Sequence, residues 1–481
     1  MISLDRLMVS GTGSGCGKTT VTCALLSAMI ARGITPTAFK CGPDYIDPMF
    51  HRATSGIRAY NLDPFFLDGE GLRSHIATHA GALAVIEGAM GYYDGIAATD
   101  EASAFTVARE TQTPVVLVIS ARGASGSLGA VIDGFARHRK DSRIQGVIFN
   151  DAKDGRYPDL ARIAEDAGVR AYGYIPRKDE WSLPSRHLGL LTTGEITGVK
   201  ELLSSLGRQA EQTIDIDGLI AMAGVAPDLQ TPSTRMQQTT GSRTVSASLQ
   251  DNRSCPDAYL KYTNSDCGEG ADHAATMRKP VLLAVAKDDA FCFMYDENLE
   301  ILQALGCELV FFSPMKDRAL PENADGLYLC GGYPELHIAP LSDNTSMRLS
   351  ISRAVAGGLP TIAESGGFLY LHDSLDGAPM CGVIRGRAFE TKQPQRFGYI
   401  TITSERDNML CRAGGSIRSH EFHYWESSSR GEGFTARKAG RAVSYPCVHA
   451  TDSLFAGFPH LFFPANPSFA ESFIEKMREH E

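Results

Sequence analysis

Leu7-Met8-Val9-Ser10-Gly11-Thr12-Gly13-Ser14-Gly15-Cys16-Gly17-Lys18-Thr19-Thr20 is the stretch from which the fold is read. Four strand-forming residues run into a loop with glycine at every second position. The loop ends in Gly-Lys-Thr-Thr, where a helical pattern predicted over 18–32 begins. A strand, a glycine loop and a helix in that order aim backbone N–H groups and a helix N-terminus at one point, an arrangement suited to phosphate. Lys18 is placed to reach β- and γ-phosphate oxygens, and the Thr19 hydroxyl to ligate Mg²⁺. Gly11, Thr12, Gly15, Gly17, Lys18, Thr19 and Thr20 are therefore assigned to ATP.

Outward from this loop, apolar runs at 7–10, 35–39, 82–87, 115–120, 145–150 and 169–175 read as strands, with helical patterns such as 127–138 between them. Strand and helix in alternation predict a doubly wound parallel α/β sheet. From 225 to 279 Gln, Thr, Ser, Asn and Asp dominate without a period of 2 or 3.6, which reads as a polar interdomain linker. The alternation then resumes, with strands at 281–286, 308–312, 326–330 and 360–364 and helices at 298–305 and 345–356. The expected architecture is two α/β domains, 1–224 and 280–481, joined by the linker.

The bulk properties narrow the function classes. The formal net charge is −10, which argues against a nucleic-acid scaffold with its basic footprint. Eleven cysteines without a regular frame read as reduced thiols rather than a disulfide scaffold. The first seven residues carry two charges and are no signal peptide, and no apolar run approaches the roughly 18 residues of a membrane span. The expectation is a cytoplasmic enzyme with no membrane partner.

Two further loops carry acids. The second strand ends in Phe39-Lys40 and leads to Cys41-Gly42-Pro43-Asp44-Tyr45-Ile46-Asp47-Pro48, at the strand end where α/β sheets hold ligands. The third ends in Val85-Ile86-Glu87-Gly88-Ala89-Met90-Gly91-Tyr92-Tyr93-Asp94-Gly95. One Mg²⁺ held by Thr19, Asp44 and Glu87 would bridge ATP and neutralise a phosphoryl group in transfer. The plainer reading makes Asp44 and Asp47 turn formers and Glu87 a helix cap.

These residues carry a resemblance. The phosphate loop, one residue longer than the strict spacing because Thr12 stands where glycine would, is similar to that of dethiobiotin-synthetase-like ATPases. The extra lysine of partitioning ATPases would fall at Gly13 and is missing. Gly42 to Pro48 followed by Phe50-His51, with Asn61-Leu62-Asp63 and Glu87 to Gly91, resembles the cobyrinic acid a,c-diamide synthases, glutamine-dependent amidases of tetrapyrrole biosynthesis. The resemblance implies an ATP- and Mg²⁺-dependent ligase. A peripheral carboxylate of the macrocycle would be phosphorylated, and ammonia would displace the phosphate. Lys18 and Lys40 would stabilise the transferred charge, while Asp44, Tyr45, Ile46, Asp47 and Asp94 would face the substrate. The implied small-molecule partners are a tetrapyrrole and glutamine or ammonia; a homodimer is left open as the assembly.

The second half extends the likeness to a glutamine amidotransferase domain. Asp289-Ala290-Phe291-Cys292-Phe293, Phe311 to Pro314 and Gly331-Gly332-Tyr333-Pro334-Glu335 match it, and Pro360-Thr361-Ile362-Ala363-Glu364-Ser365-Gly366-Gly367 is a strand running into a sharp turn. Such a turn is a nucleophile elbow, and Gly332 and Gly366 are expected to supply oxyanion N–H groups. The family places cysteine where this chain has Ser365. A thiol of pKa ~8.5 ionises readily beside a histidine, whereas an alcohol needs a complete triad. Three explanations stand side by side: an engineered inactivating change, a natural change leaving an enzyme that uses free ammonia, and an active serine. By position the base is His460 in Gly457-Phe458-Pro459-His460-Leu461-Phe462, while His420 and His423 are expected to be structural or substrate-side.

Two other readings remain. A nickel- or iron-bearing sirohydrochlorin is the alternative substrate. An ATP-binding assembly or regulatory protein with an inactive amidase domain is the alternative from another class.

Overall fold

A computed structural model describes residues 2–54, 56–178, 181, 185–186, 189–190, 192–230 and 280–480. The chain divides into two compact units, Met1–Pro256 and Asp257–Glu481. Of the stretch 225–279 read as a linker, Leu229 exchanges two backbone hydrogen bonds with Ile2, and 231–279 lie outside the described residues.

The first unit is a seven-stranded sheet of β1 (Asp5–Gly11), β2 (Pro36–Cys41), β3 (Ala59–Leu62), β4 (Leu83–Glu87), β5 (Val115–Ser120), β6 (Ile144–Ala152) and β7 (Arg170–Pro176). Their order is β3-β2-β4-β1-β5-β6-β7 and every neighbouring pair is parallel. The central strands are buried on both faces, as a sheet covered by helices requires. The carboxyl ends of β1, β2 and β4 therefore open on one edge, where ligands of such sheets bind. The helix after β1, α1 (Lys18–Ala31), begins where the sequence predicts.

Two elements differ from expectation. The short β3 is a strand that the apolar pattern does not predict, and α2 (Ile46–Ala53) starts inside a stretch whose prolines predict a loop. The Asp44 carboxylate accepts from the N–H groups of Ile46 (2.9 Å) and Asp47 (3.0 Å), capping the helix, and Pro48 falls in the first turn where no donor is missed. At the foot of β1, the fully buried Arg6 is held by the carbonyls of Leu4 (2.9 Å), Thr111 (2.9 Å) and Pro227.

The second unit has a sheet whose strands Cys307–Phe312, Val281–Ala286, Gly326–Leu329, Thr361–Glu364 and Leu454–Gly457 run parallel in that order. A second sheet is built on Ile384–Ser404, antiparallel to Ser416–Ser427, which also pairs with His460–Leu461. This second sheet escaped the sequence reading. Its long strand is bulged between residues 390 and 398 and carries many polar side chains, so no clean period-2 signal survives. Among the described residues no helix is long and apolar enough to cross a membrane.

Candidate active sites

The loop from Gly11 to Gly17 wraps the end of β1. A Cβ at Gly11 would lie 2.3 Å from Cys16 Sγ and 2.8 Å from Lys18 Cγ, so any larger residue there would have to displace those side chains. Gly17 at φ 99° would set a Cβ 2.0 Å from Asn150 Nδ2, the group that donates to the Cys16 carbonyl (3.2 Å). Gly13 and Gly15 face open space. The result is an open cradle of N–H groups at a helix start, with the buried Lys18 ammonium resting on the Gly13 carbonyl (2.9 Å). Burial pulls the Lys18 pKa below its ordinary value.

Beside the cradle lies a charge cluster made by strand register. Lys40 and Glu87 are direct partners across β2 and β4, and Glu87 is also opposite Val9 of β1. Glu87 is wholly buried and takes three donors. Oε1 accepts from the Thr19 hydroxyl (2.7 Å) and the Lys40 ammonium (2.9 Å), and Oε2 lies 2.6 Å from His51 Nε2. The Lys40 ammonium also meets the Asp47 carboxylate and the Gly88 carbonyl (3.2 Å). Burial works against the Glu87 charge, yet Lys40 and His51 outweigh it and hold the carboxyl well below the usual range. Asp47, the second acid on the same cation, is pushed up to about 8 by burial and by neighbouring Asp44, with Lys40 opposing. Burial likewise opposes the Lys40 charge, but Asp47, Glu87 and Asp44 drive its pKa well above the ordinary value.

The structure thus joins Thr19, Lys40, Asp47 and Glu87. The Thr19 hydroxyl and the Glu87 carboxylate are hard oxygen donors that fit Mg²⁺. Asp44 spends Oδ1 on the helix cap, and Asn61 ties down its backbone by donating to its carbonyl (2.7 Å). Glu87 is a buried strand residue and caps no helix. Tyr45 and Ile46 are mostly buried. Asp94 accepts from the Gly91 N–H (2.8 Å) and closes a turn. The contacts of His51, Asn61 and Asn150 are not predicted by the sequence. His51 and Asn61 stood inside quoted motifs, but nothing in their spacing shows a partner.

In the second unit Ser365 joins Thr361–Glu364 to the short helix Gly366–Tyr370 at φ 46°, ψ −102°. A non-glycine residue held there is strained, and a strand running through such a turn into a helix is the backbone shape expected of a nucleophile elbow. The crowding that enforces it is visible in the glycines. A Cβ at Gly367 would lie 2.1 Å from the Leu329 carbonyl oxygen, and one at Gly366 would lie 3.0 Å from Gly332 N. The Ser365 N–H donates to the Gly457 carbonyl (2.7 Å) and the Gly367 N–H to the Cys330 carbonyl (3.1 Å). The Ser365 hydroxyl makes no hydrogen bond among the described residues. Cys330, next to Gly331, is buried with its thiol pKa pushed well up by that burial.

His460 is buried and stacks on His420, with ring centroids 4.8 Å apart and planes 15° apart. A Cβ at Gly331 would lie 2.5 Å from His460 Cε1, so this glycine makes room for the ring. Burial, then the neighbouring His460, pulls the His420 pKa well below its ordinary value. His423 stacks on Phe458 and is pushed down to about 4 by burial. Among the described residues no three His, Cys, Asp or Glu side chains are grouped to hold a metal.

Comparison with known proteins follows the same division. Residues 7–191 match the CobQ/CobB/MinD/ParA nucleotide binding domain, and residues 283–467 match the CobB/CobQ-like glutamine amidotransferase domain. A cobyrinate a,c-diamide synthase from Clostridium acetobutylicum is 33% identical, covering 98% of this chain and 100% of its own. The chain belongs to the cobyrinate a,c-diamide synthase family. Further members from Thermoplasma volcanium (33% identical, 99% of this chain and 98% of that one) and Methanothermobacter thermautotrophicus (33%, 98% and 100%) align over nearly the whole length. As a member of the cobyrinate a,c-diamide synthase family it is a carbon–nitrogen ligase that binds a nucleotide in its first half and carries an amidotransferase domain in its second.

Proposed function

We propose that this enzyme converts the a- and c-acetate carboxylates of cobyrinate to carboxamides through acyl phosphates, with nitrogen from glutamine or ammonia, in cobalamin biosynthesis. The observation that carries the reading is the buried Thr19–Glu87–Lys40–Asp47 cluster beside the glycine cradle. ATP with Mg²⁺, when bound, supplies the phosphoryl group that turns a carboxylate into an acyl donor. Thr19 and Glu87 would hold the cation, with Asp44 nearby as the third oxygen donor. Lys18 and Lys40 face the anionic oxygens and lower the cost of charge developing on them. The backbone amides of the loop orient the phosphates, and the segment Asp44 to Asp47, with Asp94, borders the macrocycle. Ammonia then forms the new C–N bond as phosphate leaves with the C–O bonding pair.

In the second unit Ser365 occupies the elbow, His460 is the base, and Gly332 and Gly366 receive the oxyanion. With a hydroxyl at the elbow, ammonia is the donor expected to work best. The test is incubation with cobyrinic acid, ATP and Mg²⁺ plus either glutamine or an ammonium salt, followed by mass analysis of the corrinoid. Two amidations with ammonia are expected. No amidation of cobyrinate with either donor would overturn the reading, and amidation of a metallo-sirohydrochlorin instead would move the activity to that substrate.

A further inference from the structure

The segment after His460 offers no acid to orient it. Phe462, two residues on, is a fully buried aromatic. A carboxylate nevertheless reaches the ring from elsewhere, namely from Glu364, the residue immediately before the elbow serine. Glu364 is 1% exposed, and its Oε2 lies 3.7 Å from His460 Nδ1.

Both oxygens of this carboxylate are fixed from behind. Oε1 accepts the Leu461 N–H (3.0 Å), and Oε2 accepts the Tyr328 hydroxyl (3.0 Å). An oxygen with two lone pairs and one donor keeps one acceptor site, and Oε2 is the oxygen that lies 3.7 Å from His460 Nδ1. The ring has little freedom to turn away, being stacked on His420 and fitted against Gly331. Its own strand is clamped as well. The Asn298 side chain donates to the Leu461 carbonyl (2.8 Å) and accepts the Phe463 N–H (2.8 Å).

We infer that Glu364 is the positioning residue for His460, holding the proton on Nδ1 so that Nε2 is the basic nitrogen presented at the elbow. The inference rests on the reading of Ser365 and His460 as nucleophile and base. The acid and the nucleophile would then be consecutive residues, sent to opposite sides by the turn at Ser365. Nδ1–H donates to a carboxylate in the general serine and cysteine hydrolase arrangement, where that contact sets tautomer and orientation. In a resting site such contacts are often long and tighten when substrate binds.

The test uses the full-length chain. Nitrogen NMR of histidine-labelled protein, with the His460 signal assigned from a His460→Asn variant, reads the tautomer directly. Near neutral pH the Nδ1–H form is expected to dominate, and Glu364→Gln should shift the population toward Nε2–H. Tyr328→Phe, which removes the other donor to Oε2 and keeps the carboxylate, should leave the tautomer unchanged. A tautomer indifferent to Glu364→Gln in a folded variant would overturn the inference. In the Ser365→Cys background, Glu364→Gln should lower glutaminase kcat by ~10²- to 10⁴-fold with little change in KM, while Glu364→Asp recovers part of it. Equal loss of kcat and of ammonia-dependent amidation would mark a structural defect and would also overturn it. If Ser365→Cys hydrolyses no glutamine at all, the nucleophile assignment fails, and the tautomer measurement still decides the role of Glu364.

Discussion

Replacing Lys40 with methionine tests the charge cluster most directly. The ammonium is 3% exposed and is shared by Glu87, at 2.9 Å, and Asp47. Methionine keeps the length and apolar stem but leaves two buried carboxyl groups facing each other. Breaking a buried pair by removing one partner costs about 3–5 kcal/mol. For a unit of this size that corresponds to a fall in Tm of about 6–20 °C. The pH dependence has a definite sign. Asp47 is held at about 8, above its ordinary value, so in the wild type its contribution is present at low pH and lost as pH rises through 8. Glu87 is held below the carboxylate range, so its contribution is present above about pH 4.3 and lost as pH falls further. In the variant Glu87 keeps His51 and the Thr19 hydroxyl but loses Lys40, the larger of the opposing charges, and a proton can replace the missing cation. The deficit against wild type should therefore be largest near pH 8.5 and shrink toward pH 5. Calorimetric unfolding of the full chain across that range measures it. A variant as stable as wild type at pH 8.5, or a deficit that grows on acidification, would refute the coupling of these three groups.

Gly17→Ala should abolish nucleotide binding measured by calorimetric titration, because its Cβ would sit 2.0 Å from Asn150 Nδ2 on a backbone at φ 99°. Nucleotide affinity retained within tenfold would show that the loop relaxes. Gly331→Ala should displace the His460 ring, removing any glutamine hydrolysis by the Ser365→Cys enzyme while ammonia-dependent amidation persists. The overpacking should cost about 1–3 kcal/mol. Acid stability of the second unit should reflect buried histidines. His372 and His423 are each pushed down to about 4 by burial, so stability present above about pH 6.5 is lost as pH falls toward 4, up to ~3 kcal/mol for each group. Glu421, pushed up to about 7 by burial, works the other way, regaining up to ~3 kcal/mol between pH 7 and 4.5. Glu421→Gln should thus raise Tm at pH 8 and steepen the loss in acid; an unchanged pH profile would contradict this.

The phosphate loop, the parallel alternation around it and the sharp turn at Ser365 were legible in the chain itself because each is a local backbone event. Glycine spacing, a strand ending and a helix starting are all encoded within about a dozen residues. The capping role of Asp44 shows the limit of that legibility: the same Pro-punctuated stretch reads as a loop until two N–H groups are seen to share one carboxylate oxygen. The polar, bulged strands after residue 384 lie beyond that limit, since their pairing partners supply the order that their own pattern lacks. The tertiary structure alone decided which charges meet. Lys40 and Glu87 are 47 positions apart and touch because parallel register places them side by side, with His51 brought in by a helix. Glu364 comes to face His460 because Thr361–Glu364 and Leu454–Gly457 are neighbouring strands of one sheet. Short-range chemistry writes the shape of a loop into the residues that form it, whereas the electrostatics of a buried site depend on neighbours that only the packed sheet supplies.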